Sequence, residues 1–290
     1  MKHHLLFVLA FLWLSLYPLS SQAQVRISGY DASMPMLSPI DTLDQTKLCV
    51  HYQYRVVEDI RNPKKITQYN LLLQIGSQLS KFSDYNDIVG DSIVREEVRQ
   101  GVNNNTILLG MLSRRNGQSS YNEEVFKNSP KGKYSVEEFL MGEYIYEEPI
   151  PTMEWTVDAT ADTTLLGYAC TRATCHFRGR NYIAWFAPDI AIDNGPWKFH
   201  GLPGLILQVE DDEHQHIYTC TALYQPQGEN PIYKKKRTNV VKTTREKFLK
   251  AKKRAMDDLI LTLQNSGKFN IKLPPNAPKK RRSYNPIERE

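Results

Sequence analysis

Short runs of alternating apolar and polar residues, separated by hairpin-sized connections, dominate this sequence. In residues 48–56 (LCVHYQYRV) every second side chain is a large apolar or aromatic one. Such alternation is typical of a strand that buries one face. Because the connections are too short to hold crossover helices, neighbouring strands are expected to pair antiparallel.

We therefore predict a mainly β fold: a curved antiparallel sheet or open barrel of about nine or ten strands, with one internal helix and a carboxyl-terminal helix. A chain of 290 residues is long enough to bury the core that such a sheet needs. After residues 48–56, the expected strands are 67–75, 78–84, 121–127, 132–138, 142–148, 164–177, 180–187, 204–210 and 215–224.

The internal helix is predicted over residues 86–100. Ile93, Val94 and Val98 share one side of it, and Gly101 with the following asparagine run ends it.

The carboxyl-terminal helix is predicted to begin at Thr243, which forms a capping box with Glu246. Apolar residues then recur at helical spacing as far as Leu263, and lysines and arginines occupy the opposite side. Two interpretations stay open. The apolar stripe packs on its own domain, or the basic amphipathic helix lies on a membrane surface.

The first residues predict export. Residues 5–17 form an apolar run of signal-peptide size, and Ser21-Gln22-Ala23 provides small residues for cleavage after Ala23. A membrane anchor is the alternative, which the short run and the cleavage pattern disfavour. We expect a periplasmic or outer-membrane-associated protein in an oxidising compartment.

Charge is unevenly distributed along the chain. Residues 234–290 hold 18 Lys and Arg against 5 Asp and Glu, a net charge of +13, which leaves −8 for residues 1–233 because the whole chain carries +5. We therefore expect a signal peptide over 1–23, an antiparallel β domain over 24–233 and a basic helical tail with a flexible end over 234–290. The tail is either a docking surface for anionic membrane or a solvated face.

Four cysteines allow two disulfides in an oxidising compartment. On a single strand over 164–177, Cys170 and Cys175 would lie about 16 Å apart and point to opposite faces. Cys49 and Cys220 are then expected to pair with Cys170 and Cys175, in an order that the sequence leaves open. A metal site at Cys175-His176 is the alternative.

Motifs for catalysis and cofactors are missing: the sequence has no GxSxG, HExxH, CxxC, GxxxxGK[ST] or GxGxxG. We predict no catalytic residue and no cofactor, and ligand-binding residues cannot be assigned. His214 and His216 would share one face of a strand, as two metal ligands do. An exposed polar turn explains the same pair.

Two turns stand out. Arg178-Gly179-Arg180 is interpreted as a tight hairpin turn with two outward arginines, and an anion site is the alternative. In residues 195–207 (GPWKFHGLPGLIL), Pro203 fixes φ and Gly204 accepts a positive φ, which predicts a type II turn entering a buried strand.

The hexapeptide Gly201-Leu202-Pro203-Gly204-Leu205-Ile206 resembles the motif that names the GLPGLI family of exported Gram-negative proteins. Further blocks are similar to the family pattern in the same order: residues 73–76, 80–82, 167–170, 172–174, 177–180, 184–186, 195–196 and 285–288. The family is uncharacterised, so the resemblance implies no activity and no functional residue.

Three functions fit these observations. The first is an exported, non-enzymatic binding protein of the cell envelope whose sheet holds an apolar or lipidated ligand. The second is a structural or interaction partner of an outer-membrane assembly, with residues 234–290 as the dock. The third is a metal-binding protein that uses His214 and His216. Nucleic acid is a poor partner for an exported chain.

Overall fold

The computed structural model describes residues 37–114, 119–258 and 283–289. The predicted signal peptide over residues 1–23 lies outside these ranges. The strands are β1 (Ile40–Gln45), β2 (Leu48–Val57), β3 (Ile66–Ile75), β4 (Ser80–Asp84), β5 (Glu123–Lys127), β6 (Lys133–Phe139), β7 (Glu143–Pro149), β8 (Thr156–Leu165), β9 (Tyr168–Phe177), β10 (Arg180–Ala187), β11 (Leu205–Asp211), β12 (His216–Tyr224), β13 (Pro231–Lys235) and β14 (Val241–Thr243). The helices are α1 (Tyr85–Arg99), α2 (Asn104–Arg114) and α3 (Arg245–Asp257).

Twelve strands form one open sheet in the order β14-β7-β6-β5-β4-β3-β2-β12-β11-β10-β9-β8. All its pairs are antiparallel except β14 with β7, which run parallel. β1 and β13 form a separate antiparallel pair. The prediction of a mainly β fold built on an open antiparallel sheet is confirmed.

The described strands outnumber the nine or ten expected. Residues 164–177 are not one strand, because Leu166 and Gly167 have φ values of 52° and 84° and turn the chain between β8 and β9. Most of β8 was not predicted. It is an edge strand with exposed or half-buried side chains, so its sequence shows no apolar alternation.

Helix boundaries follow the local capping groups. α1 spans nearly the predicted residues, and Asp84 caps it by accepting a hydrogen bond from Asn86 N at 2.8 Å. α2 was not predicted. Asn103, interpreted as part of a helix stop, instead accepts from Thr106 N at 2.9 Å at the start of α2. The cap of α3 is Thr244 and not Thr243.

One hydrophobic cluster joins the core face of the sheet to the β10–β11 loop and α3. Trp197 and Phe199 of the loop are fully buried, and Phe248 and Ala255 bring the apolar stripe of α3 onto the same cluster. This arrangement supports the interpretation in which the helix packs on its own domain.

The domain boundary expected between residues 233 and 234 falls inside β13.

All four cysteines are buried free thiols, so the two predicted disulfides are not formed. Cys170, Cys175 and Cys220 belong to the main cluster, whereas Cys49 alternates with Val50 and Tyr52 and faces away from it. Cys170 and Cys175 both belong to the main cluster although five positions separate them along β9.

Candidate functional site

The last described stretch of the chain, residues 283–289, lies against the body with neither helix nor strand of its own. Its backbone is bound at Pro286, Ile287 and Arg289. Tyr182 OH donates to the Ile287 carbonyl at 3.1 Å, and Arg289 N–H donates to the Arg178 carbonyl at 2.9 Å. We call the surface that holds this segment the tail groove, which is formed by Arg178, Arg180, Tyr182, Lys198, Gln215 and Arg245.

Arg180 is the central donor of the tail groove. Its buried guanidinium contacts the Pro286 carbonyl at 2.7 Å and the Asn285 side-chain oxygen at 2.6 Å. Asp211, which is fully buried, accepts from Arg180 Nη1 at 2.6 Å and from the amides of Gln215 and His216 at 2.7 Å each. The guanidinium is therefore held in place by a fixed carboxylate.

This geometry corrects the expectation of two outward arginines. Arg178 and Gly179, with φ values of 51° and 77°, do form the predicted hairpin turn. Arg180 nevertheless points inward, and Arg178 Nη2 contacts Glu148 Oε2 at 2.6 Å. The sequence pattern could not distinguish the two directions, because the buried acceptors come from residues far along the chain.

A buried ionic network lies beneath the segment. The fully buried Lys198 ammonium donates to Glu148 Oε1 at 2.7 Å, to Tyr146 OH at 3.1 Å and to Glu288. Arg245 also donates to Glu288. Burial favours the neutral amine, but these partners outweigh it and raise the pKa of Lys198 above its ordinary value. Glu288 thus anchors the segment through two cations.

Glu123 lies beside this network without an ion pair of its own among the described contacts. It accepts from Trp197 Nε1 at 2.8 Å. Burial and the nearby Glu138 carboxylate raise the pKa of Glu123 to about 7, although Lys252 and Lys198 act in the opposite direction. Glu138 itself is paired with Lys252 Nζ at 2.7 Å.

We expect Glu123→Gln to be more stable than the wild type at pH 8, by on the order of 1 kcal/mol. The folded pKa lies above the unfolded value of 4.5. The favourable contribution of protonated Glu123 is therefore complete below pH 4.5 and lost as the pH rises to about 7. Gln keeps the acceptor for Trp197 without the charge. Urea unfolding at pH 4.5 and pH 8 measures the effect.

At pH 4.5 the two proteins should have similar free energies of unfolding. Glu147→Gln is the control, because Glu147 is exposed and its ion pair among the described residues is with exposed Lys133. A difference between Glu123→Gln and wild type that is the same at both pH values would contradict the prediction.

The histidine pair does not form a metal site. His214 has a φ of 54° and lies exposed in the β11–β12 turn, where Nδ1 contacts Glu210 at 2.9 Å. His216 is buried, and its Nδ1 contacts Tyr54 OH at 2.7 Å. No group of three or more metal-ligating side chains occurs among the residues that the structure describes. The prediction of a shared strand face is wrong because β12 begins only at His216.

The hexapeptide 201–206 is structural. Gly201, not Gly204, has the positive φ, of 90°, so the predicted role of Gly204 in a type II turn is wrong. Gly204 is required for space, since a Cβ there would lie 2.3 Å from the Ala187 carbonyl oxygen. Leu205 and Ile206 are fully buried, and Tyr52 OH donates to the Ile206 carbonyl at 2.6 Å. These contacts fix the loop that carries Lys198.

Several cations at the start of the basic stretch, which begins at residue 234, are paired within the fold. Lys234 contacts Glu137 at 2.6 Å and Lys235 contacts Asp91 at 2.7 Å. Arg237 contacts Glu143 at 2.6 Å. These pairs join the acidic and basic parts of the sequence, so some of the basic residues expected to face an anionic surface are paired within the fold. None of the described helices is long and apolar enough to cross a membrane.

An open cleft of about 710 Å³ borders the segment on its outer side. Five cationic and five anionic side chains line it, together with Ile60, Leu249 and Tyr284. This mixed lining favours no single ligand class.

Comparison with known proteins found a similarity to one family of unknown function. Residues 177–208 match the model of Porph_ging, described as a protein of unknown function. The matched residues include Arg178, Arg180, Tyr182 and Lys198 of the tail groove. No curated protein matches the chain.

Two solved structures are weakly similar. The PNGF-II structure in the P21 space group is 11% identical with a TM-score of 0.46, and the match covers 71% of this chain and 32% of that one. The C2 form has 11% identity, a TM-score of 0.45 and the same coverage. The chain thus spans about a third of the length of these proteins. The short match over residues 177–208 is a similarity to an uncharacterised family, and the GLPGLI resemblance stays a prediction.

Proposed function

We propose that this protein is an exported, non-enzymatic binding protein of the cell envelope whose tail groove binds a short polypeptide segment. In this chain, residues 283–289 occupy the tail groove. The observation that carries the proposal is the recognition of this segment by backbone and side chain together: Arg180 and Tyr182 bind consecutive carbonyls, and Lys198 with Arg245 bind the Glu288 carboxylate.

A peptide ligand fits the geometry better than an apolar or lipidated one. The core face of the sheet is filled by Trp197, Phe199 and α3. The tail groove presents fixed hydrogen-bond donors, which suit carbonyls and a carboxylate rather than an acyl chain. A partner segment of the form Asn-Pro-aliphatic-Glu would make the contacts that residues 285–288 make now. Such a partner is consistent with the hypothesis of an envelope assembly.

The test converts the intramolecular segment into a dissociable peptide. A protease site is inserted within residues 259–282, which lie outside the described ranges, and the folded protein is cleaved. This step removes the high effective concentration that a linker gives to its own segment. A fluorescein-labelled peptide Ser-Tyr-Asn-Pro-Ile-Glu-Arg-Glu is then added, and its binding to the cleaved protein is followed by fluorescence anisotropy.

We expect the labelled peptide to replace the cleaved segment and to bind the protein saturably. The Glu288→Gln peptide should bind at least about 10-fold more weakly, because a charge-assisted hydrogen bond contributes about 1.5–3 kcal/mol. The Glu290→Gln peptide makes the same change of charge and serves as the matched control. A panel of unrelated peptides containing Asn-Pro-aliphatic-Glu should compete, and peptides with these four residues reversed should not. Failure to exchange would make the segment a permanent part of the fold, and equal affinity for all peptides would contradict recognition of the sequence by the tail groove.

A further inference from the structure

Both polar atoms of the Asn285 side chain are bound by the body of the protein. Its Oδ1 accepts from Arg180 Nη2 at 2.6 Å. Its Nδ2 donates to the Val57 carbonyl at 2.9 Å and to Gln215 Oε1 at 2.8 Å. The three partners lie at the start of β10, at the end of β2 and immediately before β12. We call them the amide pocket, which is formed by Arg180, Gln215 and the Val57 carbonyl.

The chemistry of the amide pocket fixes the orientation of the Asn285 side chain. A guanidinium can only donate and a main-chain carbonyl can only accept, so the amide oxygen faces Arg180 and the nitrogen faces Val57. Gln215 is oriented in the same way, because its Oε1 lies near two donors, Asn285 Nδ2 at 2.8 Å and Arg180 Nη1 at 3.4 Å. A reversed amide would place donor against donor and acceptor against acceptor.

The amide pocket is held in place by contacts that do not involve the segment. The Val57 N–H donates to the Gln215 carbonyl at 2.9 Å, and the Gln215 N–H donates to Asp211 Oδ1 at 2.7 Å. Asp211 Oδ2 accepts from Arg180 at 2.6 Å. Because donor and acceptors are already positioned, little ordering cost opposes their binding to a ligand that matches them.

An aspartate in place of Asn285 would have the same shape but the wrong hydrogen-bonding groups. Its second oxygen would face two acceptors, the Val57 carbonyl and Gln215 Oε1, and the Val57 carbonyl would lose its Asn285 donor. The positive charge of Arg180 offers little compensation, because it is already paired with the fully buried Asp211.

We propose that the tail groove selects its ligands through a neutral carboxamide, so that its partners are polypeptides with asparagine, and not aspartate, at the position of Asn285. The inference rests on the proposed function for the existence of such partners. It adds a discrimination that the cations around Glu288 do not provide, because those cations select for negative charge whereas the amide pocket selects against it.

The first test uses the full chain and does not require a peptide to exchange. When the segment is bound, the Arg289 N–H donates to the Arg178 carbonyl, so hydrogen exchange of this amide reports release of the segment. At pH 7.5 we expect exchange in Asn285→Asp to be at least about 10-fold faster than in wild type. Ser283→Ala is the control. Ser283 is exposed and donates to Asp59 at 2.9 Å, so its loss should leave the rate nearly unchanged.

A change in the amide pocket provides the second readout. Gln215→Lys replaces an acceptor with a cationic donor, so the double variant Gln215→Lys, Asn285→Asp should exchange more slowly than Asn285→Asp alone. Gln215→Met removes the acceptor without adding a donor and should narrow the difference between asparagine and aspartate at position 285. This variant keeps the test decisive if Gln215→Lys does not fold.

Fluorescence anisotropy with the cleaved protein separates this inference from the proposed function. The Asn285→Asp form of the labelled peptide should bind at least about 10-fold more weakly than the unchanged peptide. If neither peptide exchanges while Asn285→Asp speeds hydrogen exchange in the full chain, the proposed function is wrong and carboxamide selection is supported. Arg289 exchange in Asn285→Asp within about threefold of wild type, or no effect of the Gln215 variants, would overturn carboxamide selection even if both peptides bind.

Discussion

Lys198→Met is expected to lower the free energy of unfolding by about 3 kcal/mol or more. Lys198 is fully buried between Glu148 and Glu288, and its ammonium also lies 5.2 Å from the Trp197 ring centroid. Met preserves the length of the side chain but leaves both carboxylates with less positive charge nearby. Glu148 keeps Arg178 and Arg245, and Glu288 keeps Arg245, so the loss is partial. Urea unfolding at pH 7.5, followed by tryptophan fluorescence, measures it.

The matched control is Lys133→Met. Lys133 also pairs with a glutamate, at 3.1 Å, but both side chains are more than 40% exposed. Exposed pairs contribute about 0–1 kcal/mol. The triple variant Lys198→Met, Glu148→Gln, Glu288→Gln should recover part of the stability, because it removes the uncompensated charges. A loss below about 1 kcal/mol for Lys198→Met would show that the buried network contributes little.

Gly204→Ala is the second substitution with a large expected effect: it should lower the free energy of unfolding by about 3 kcal/mol. A Cβ at this position would lie 2.3 Å from Ala187 O, 2.7 Å from Ala187 C and 2.9 Å from Pro188 Cα. These are backbone atoms, which cannot rotate away as a side chain can. The loop and the end of β10 must move apart, and this movement would also displace Lys198 from its carboxylates. Thermal and urea unfolding measure the loss.

Gly90→Ala is the control for this substitution. Gly90 lies within α1, and a Cβ at this position would meet no heavy atom within 4 Å beyond its own helix backbone. Alanine is favoured over glycine inside a helix by about 0.5–1 kcal/mol, so the control should gain stability. Equal effects at both positions would mean that the close approach at Gly204 does not limit the structure.

The tail groove could be predicted only in part. Arg178-Gly179-Arg180 is identifiable as a turn from its residues, and residues 285–288 resemble a family ending. Nothing in the local pattern connects them, because Arg180 and Pro286 are 106 positions apart. Buried charges are also unexpected from composition, since lysine and glutamate are usually exposed. Lys198 and Glu288 are exceptions that depend on each other.

The sequence alone determined the elements whose signal is local. β2 follows from its alternation, because one face packs on the core and the other does not. α1 follows from periodicity and its end signals. The edge strands β8 and β14 lack such a signal, since an exposed edge does not require apolar residues.

Only the tertiary structure decided which buried groups meet. It placed Cys170, Cys175 and Cys220 in the main cluster and Cys49 outside it, turned Arg180 inward, and joined Lys198 to Glu148 and Glu288. The physical reason is that face and direction depend on register shifts and on partners distant in sequence. Periodicity specifies that a strand forms, whereas long-range pairing specifies what its side chains contact.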